Sequence, residues 1–239
     1  KKIIYNPIRK EDLDELKKSK WSSYVCNFNQ SIPHKHNGRP AKYLRSSLKR
    51  EITHRDAAIL GFLKMANPND IVLLSDLDEI PNPLAVKKAI KKDIFQPHYF
   101  KMEWFLYWIN NKVSEPWFGT VLFKFKNLKG SSLDTLRYAS YDTKNVPGPI
   151  IESGGWHFSY LGGIERIIGK LQAHPFQGYR VSIAIFLDRI GLRKIKKIIS
   201  DNKYDIFFLK RKSNIVDIEK TFPKILLEKN EFIKKYSYE

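Results

Sequence analysis

Asp76, Asp78 and His157 are the residues whose types and surroundings point most directly to chemistry. The two aspartates stand in Ser75-Asp76-Leu77-Asp78-Glu79-Ile80-Pro81, immediately after the apolar run Ile71 to Leu74. Carboxylates two positions apart share a face of an extended segment, and in a turn both still reach one ion. Their hard oxygen donors suit Mg²⁺, Mn²⁺ or Ca²⁺. Four consecutive apolar residues predict a strand covered on both faces in a parallel or mixed α/β sheet, with Pro81 ending its ladder. Ligands of such sheets gather beyond the carboxyl ends of the strands, where these acids stand. An Asp-x-Asp pair also arises by chance, and Asn82-Pro83 suits the start of a helix over Leu84 to Ile90, so the rest of the chain must discriminate.

His157 lies in Pro149-Ile150-Ile151-Glu152-Ser153-Gly154-Gly155-Trp156-His157-Phe158-Ser159-Tyr160-Leu161-Gly162-Gly163, which reads as a strand broken by paired glycines. Glycine admits close approach of backbone or ligand. A lone histidine is more often structural than functional, and a tryptophan more often packs than binds. His34 and His36 have no third ligand candidate nearby and read as an exposed loop.

The elements that position these residues follow from periodicity. A helix is expected over Glu11 to Lys18 and another over Lys42 to Met65, where Leu44, Leu48, Ile52, Ile59 and Leu63 make one apolar face. Glu51 and Arg55 are spaced for an ion pair on its surface. Asn67-Pro68-Asn69-Asp70 stops that helix. Aromatic and β-branched residues predict strands within Phe95 to Ile109 and over Trp117 to Phe125. Asp134 to Tyr141 is a helical candidate and Tyr141 to Pro149 a loop. Ile164 to Ala173 reads as helix, and Arg180 to Leu187, Gly191 to Ile199 and Asp217 to Tyr236 as basic, mostly helical segments.

Composition sets the outer limits. With 42% apolar and 13% aromatic residues, 239 residues can fill a sizeable core. The net charge of +18 invites nucleic acid, an anionic membrane or a polyanionic substrate. Lysines are nonetheless spread along the whole chain, with local clusters at Lys87 to Lys92 and Arg193 to Lys197, which favours a solvated basic surface over nucleic-acid binding. Peripheral membrane contact stays compatible. Cys26 is the single cysteine, which rules out an intrachain disulfide and suits a reducing compartment such as the cytoplasm. No apolar run approaches the ~20 residues of a membrane span, and no signal-like segment opens the chain.

Three segments in order are similar to glycosyltransferase family 17, which includes a β-1,4-mannosyl-glycoprotein N-acetylglucosaminyltransferase. They are Arg50-Glu51-x-x-x-Arg55-Asp56 with Leu60-Gly61-Phe62-Leu63, then Ser75 to Pro81, then Gly155-Trp156-His157-Phe158-Ser159-Tyr160 with Glu165 and Lys170-Leu171 beyond. The resemblance implies one GT-A-like α/β domain over 1–239, with a mixed, mostly parallel central sheet flanked by helices and a helical C-terminal region. It further implies that the family's first strand and helix would precede residue 1. The chain departs from the family pattern at Gln172 to Gly178, where a His and a Glu are displaced or lost.

The activity implied is inverting transfer of a sugar, N-acetylglucosamine being the family's example, from a uridine diphosphate donor to a glycan hydroxyl. A divalent metal, Mn²⁺ or Mg²⁺, would be held directly by Asp78, with His157 completing its shell and Asp76 either binding it through water or contacting the ribose. Glu152, Glu79 and Asp142, in that order, are the candidates for the catalytic base. Asp76, Arg50, Arg55 and Trp156 are the candidate donor-binding residues, with Leu77 and Ile80 expected to serve packing. A metal-dependent phosphoesterase and a basic nucleic-acid-binding protein are the alternatives.

Overall fold

The computed structural model describes residues 35–36, 39–40, 55, 58–59, 65–128, 133–138, 146–173, 212–223 and 227–238. The helices expected over Glu11 to Lys18, Arg180 to Leu187 and Gly191 to Ile199 lie outside these residues. Of the helix expected over Lys42 to Met65, Arg55, Ala58, Ile59 and Met65 are described; Arg55 and Ile59 are helical, and Ala58 and Met65 lie in turns. Lys35–His36 (β1) pairs antiparallel with Arg39–Pro40 (β2), so His36 lies in a small hairpin rather than in an open loop.

A mixed sheet with helices gives the chain its α/β character. Its seven described strands are Ile71–Leu74 (β3), Glu79–Pro81 (β4), His98–Leu106 (β5), Asn111–Val113 (β6), Trp117–Lys124 (β7), Ile150–Ser159 (β8) and Ser213–Ile215 (β9). The order is β3-β7-β5-β6-β9, and β8 pairs with both β4 and β5. Pairing is mostly antiparallel, which corrects the mostly parallel sheet expected from the sequence. β3 runs against β7, β4 against β8, β5 against β6 and β6 against β9. The short turn between β5 and β6 explains part of this, because a parallel neighbour requires a long crossover. Tyr99 N–H donates to Pro149 O at the start of β5 and Tyr107 N–H to Ser159 O beyond its end, so β5 and β8 run in the same direction.

The contacts divide the chain into two compact units, each built from separated segments. The first comprises Lys1–Leu74, Lys88–Tyr99 and Thr120–Ile150. Here Ile71 lies opposite Lys124 and Leu74 opposite Val121. Val121, Leu122, Phe123, Phe125, Leu128 and Leu133 form its buried interior. Val72 is buried, whereas Ile71 and Leu73 are exposed, so β3 is not covered on both faces. Among the described strands, β3 stands at the end of the order and adjoins β7. Arg55 pairs with Asp134 on the helix Leu133–Tyr138 (α2).

The second unit comprises Ser75–Lys87, Phe100–Gly119 and Ile151–Glu239. Phe105, Ile109 and Phe222 are buried together, with Trp156, Phe158, Leu161, Val216, Ile218 and Leu227 packed around them. Asn110 accepts from Tyr238 N–H at 2.8 Å and donates to Tyr238 O at 3.0 Å, imitating a strand partner and fixing the end of the chain. Ile164–Ala173 (α3) follows the periodicity, as does Pro83–Ile90 (α1), which Pro83 opens while Asn82 Oδ1 accepts from Leu84 N–H. Within the expected Asp217 to Tyr236 segment, Ile218–Thr221 (α4) and Asn230–Tyr236 (α5) are helical, and Ser213–Ile215 (β9) precedes them.

Two local expectations are reversed here. Pro81 does not end pairing: it belongs to β4, opposite Gly155, and needs no N–H for that ladder position. β8 is not broken at Gly154-Gly155 but continues to Ser159, bending where Ser153 has φ 50 and Gly155 φ 138. A Cβ on Gly155 would lie 2.1 Å from Ile80 O and 2.8 Å from Asn82 N, so a side chain cannot enter without parting β4 from β8. Gly155→Ala is expected to destabilise the protein by about 2–4 kcal/mol, from the backbone conformation and the clash together. A thermal melt followed by circular dichroism should fall by roughly 5–15 °C for a chain of this size; an unchanged melt would mean that the β4–β8 contact contributes nothing to stability.

Candidate functional site

The acidic segment forms a tight turn between two strands. Leaving β3 at Leu74, the chain reverses so that Glu79 N–H donates to Asp76 O at 3.0 Å. Ser75 Oγ donates to Glu79 O at 3.2 Å, and Asp76 N–H donates to Glu79 Oε2 at 3.1 Å. Glu79, only 3% exposed, therefore ties its own turn together with its side chain. Its other oxygen accepts from Trp117 Nε1 at 2.6 Å. A Cβ on Gly119 would fall 1.9 Å from Glu79 Oε1, so the absent side chain at Gly119 makes room for this carboxylate. Leu77, fully exposed, and Ile80, also exposed, do not serve the packing expected of them. A tip residue of so short a turn has nothing to pack against.

Strand pairing brings histidine to the turn. Glu79 stands opposite His157 in the β4–β8 register, and Phe158 N–H donates to Asp78 O at 2.8 Å. The His157 ring lies 4.2 Å from the Trp117 ring and 6.2 Å from that of Trp104, nearly parallel to the latter. Held by these indoles, His157 directs Nε2 toward Asp78 Oδ1 at 3.6 Å and toward Ser159 Oγ at 3.1 Å. Its Nδ1 is buried without a hydrogen-bond partner.

Lys170, in the last turn of α3, completes the cluster by placing Nζ 2.6 Å from Asp78 Oδ2. The same ammonium lies 4.9 Å from the centre of the Tyr160 ring. Burial pushes the Asp78 carboxyl up, but His157 and then Lys170 more than offset it, holding the group well below the usual carboxylate range. The chain thus presents a carboxylate whose two oxygens face two different nitrogen groups.

The remaining candidates are distributed as follows. Glu152, 67% exposed at its side chain, pairs with Lys101 at 3.1 Å. Trp156 donates from Nε1 to Thr221 O at 3.0 Å and packs beside Phe222, so its ring belongs to the apolar cluster rather than to an open face. Asp76 contributes its backbone to the turn. Arg55 is paired with Asp134 in the first unit. Arg50 and Asp142 lie outside the described residues. Among the described residues no group of three or more His, Cys, Asp and Glu side chains converges, and no helix is long and apolar enough to cross a membrane.

Sequence reasoning did not assign roles to Lys170, Trp104, Trp117 or Ser159. The helical phase of Lys170 is legible in the sequence, but its reach to Asp78 is not. The tryptophans read as ordinary core aromatics. No family model, curated protein or solved structure matches the chain.

Trp117→Phe keeps the ring against His157 but removes the indole donor from Glu79. It should cost about 1.5–3 kcal/mol, the usual contribution of a hydrogen bond to an ionisable acceptor, read from urea unfolding. Asp78 supplies a second expectation. Its folded value lies below its ordinary 3.8, so its ionic contribution is fully present above ~pH 4 and is lost as pH falls through the lowered folded value. Wild type should exceed Asp78→Asn in stability at neutral pH, with the difference shrinking between ~pH 4 and ~pH 2. A constant difference across that range would exclude the ion pair as its source.

Proposed function

We propose that the protein is an inverting, metal-dependent glycosyltransferase of GT-A type. It would transfer a sugar such as N-acetylglucosamine from a uridine diphosphate donor to a glycan hydroxyl. The observation that carries this reading is the convergence of Asp78, His157 and Lys170 at an acid-bearing turn, with Asp78 Oδ1 3.6 Å from His157 Nε2 and Asp78 Oδ2 2.6 Å from Lys170 Nζ. The family resemblance joins the same Asp-x-Asp and Trp-His segments.

A divalent cation fits this cluster to the extent that an oxygen donor and an imidazole donor face each other and already attract a cationic group. Asp78 and His157 would hold it, leaving other coordination positions to the donor's diphosphate and to water, as Mg²⁺ and Mn²⁺ sites at phosphates commonly do. When bound, the metal supplies charge neutralisation for the departing diphosphate.

The chain's own residues do the rest. Trp117 and Trp104 fix the imidazole plane, Glu79 holds the turn, and Phe158 N–H anchors the Asp78 backbone, so that these groups are oriented before the substrate arrives. The base must reach a hydroxyl on the acceptor side of the sugar ring. Glu79 is too enclosed for that and acts as a positioning group, whereas Glu152 presents an accessible carboxylate and is the better candidate.

Nucleotide sugars with and without Mn²⁺ provide the test by thermal shift. A donor at 100 times its dissociation constant should stabilise the protein by about 2.7 kcal/mol, roughly 5–10 °C here. The shift should require Mn²⁺ and vanish in Asp78→Ala. Equal shifts with and without metal would count decisively against the reading, and steady phosphate release with no acceptor present would favour a phosphoesterase instead.

A further inference from the structure

We infer that Lys170 is an exchanging counter-cation: it neutralises Asp78 before the site is loaded, leaves when a divalent cation binds, and then ligates the diphosphate. This rests on the reading of Asp78 as a cation ligand. The geometry divides the carboxylate between two nitrogens, with Lys170 Nζ 2.6 Å from Oδ2 and His157 Nε2 3.6 Å from Oδ1. The Lys170 ammonium therefore stands where it competes with any metal drawn to Asp78. Once a divalent ion occupies the carboxylate, like charges oppose the ammonium and free it for another anion.

Lys170 is suited to such a displacement. Its side chain is 44% exposed, and its flexible stem ends in three rotatable donors. It emerges from the last turn of α3, beside the Tyr160 ring. Tyr160 follows β8 with φ 57, a left-handed conformation, and the face of its ring offers the ammonium a resting place besides Asp78. A phosphate oxygen is a natural acceptor for a lysine acting as a point charge. Neither Asp78 nor His157 could give the diphosphate this positive charge by itself.

The test measures two affinities. Binding of Mn²⁺ alone is followed by the electron paramagnetic resonance signal of the free ion, and binding of inorganic pyrophosphate at saturating Mn²⁺ by calorimetry. Lys170→Met should bind Mn²⁺ at least fivefold more tightly than wild type and pyrophosphate at least tenfold more weakly, while Lys170→Arg recovers most of the pyrophosphate affinity. A merely structural role would not move the two affinities in opposite directions. Methionine matches lysine in helix propensity, so α3 should survive the substitution. Unchanged Mn²⁺ affinity in Lys170→Met, or unchanged pyrophosphate affinity, overturns the inference. Asp78→Asn that binds Mn²⁺ as tightly as wild type instead overturns the metal-site reading beneath it.

Discussion

A carboxyl group enclosed in protein must find hydrogen-bond donors to replace water, and the candidate site depends on how Glu79 meets that requirement. One oxygen takes the Trp117 indole N–H and the other takes the Asp76 backbone N–H. The first bond fixes Trp117 at the beginning of β7, and the second closes the turn that carries Asp76 and Asp78. Gly119 leaves the space in which both bonds can form. Because the Glu79 backbone also stands opposite His157 in the β4–β8 register, one residue links the turn, the tryptophan and the strand that carries the histidine.

That arrangement separates enclosed groups from exposed ones. His157 is fixed by stacking and Asp78 by its backbone, whereas Lys170 approaches from an exposed helical turn on a long stem. The unpartnered Nδ1 of His157 belongs to the same economy of contacts: the ring is oriented by its faces and by Nε2, with no hydrogen bond at Nδ1. Leu77, at the exposed tip of the turn, lies beside these charged groups and contributes nothing to their support.

The resemblance to glycosyltransferase family 17 and the cluster around Asp78 bear on function in different ways. The resemblance read in the sequence raises a reaction only as an expectation, while the structure supplies an anion flanked by an imidazole and an ammonium. Such a cluster is compatible with several reactions at phosphate, and it becomes a transferase centre only together with a donor pocket and an acceptor site. The mostly antiparallel pairing of the described sheet bears on fold rather than on chemistry, because chemistry depends on the few side chains that the pairing places together.

Local patterns in the sequence were enough to determine α1 and α3 and the strand over Trp117 to Lys124. These features are set by proline, glycine and the spacing of apolar residues, all of which act within a few positions. The proximity of Asp78 and His157 was also expected, since acids after an apolar strand and a histidine between glycines and aromatics are unusual compositions. Only the tertiary structure decided that β3 is exposed on one side, that Pro81 joins a ladder, that Trp156 packs while Trp117 holds Glu79, and that Lys170 reaches Asp78. Each of these depends on which distant segments become neighbours, and strand pairing between segments separated by scores of residues leaves no periodic signal in either of them.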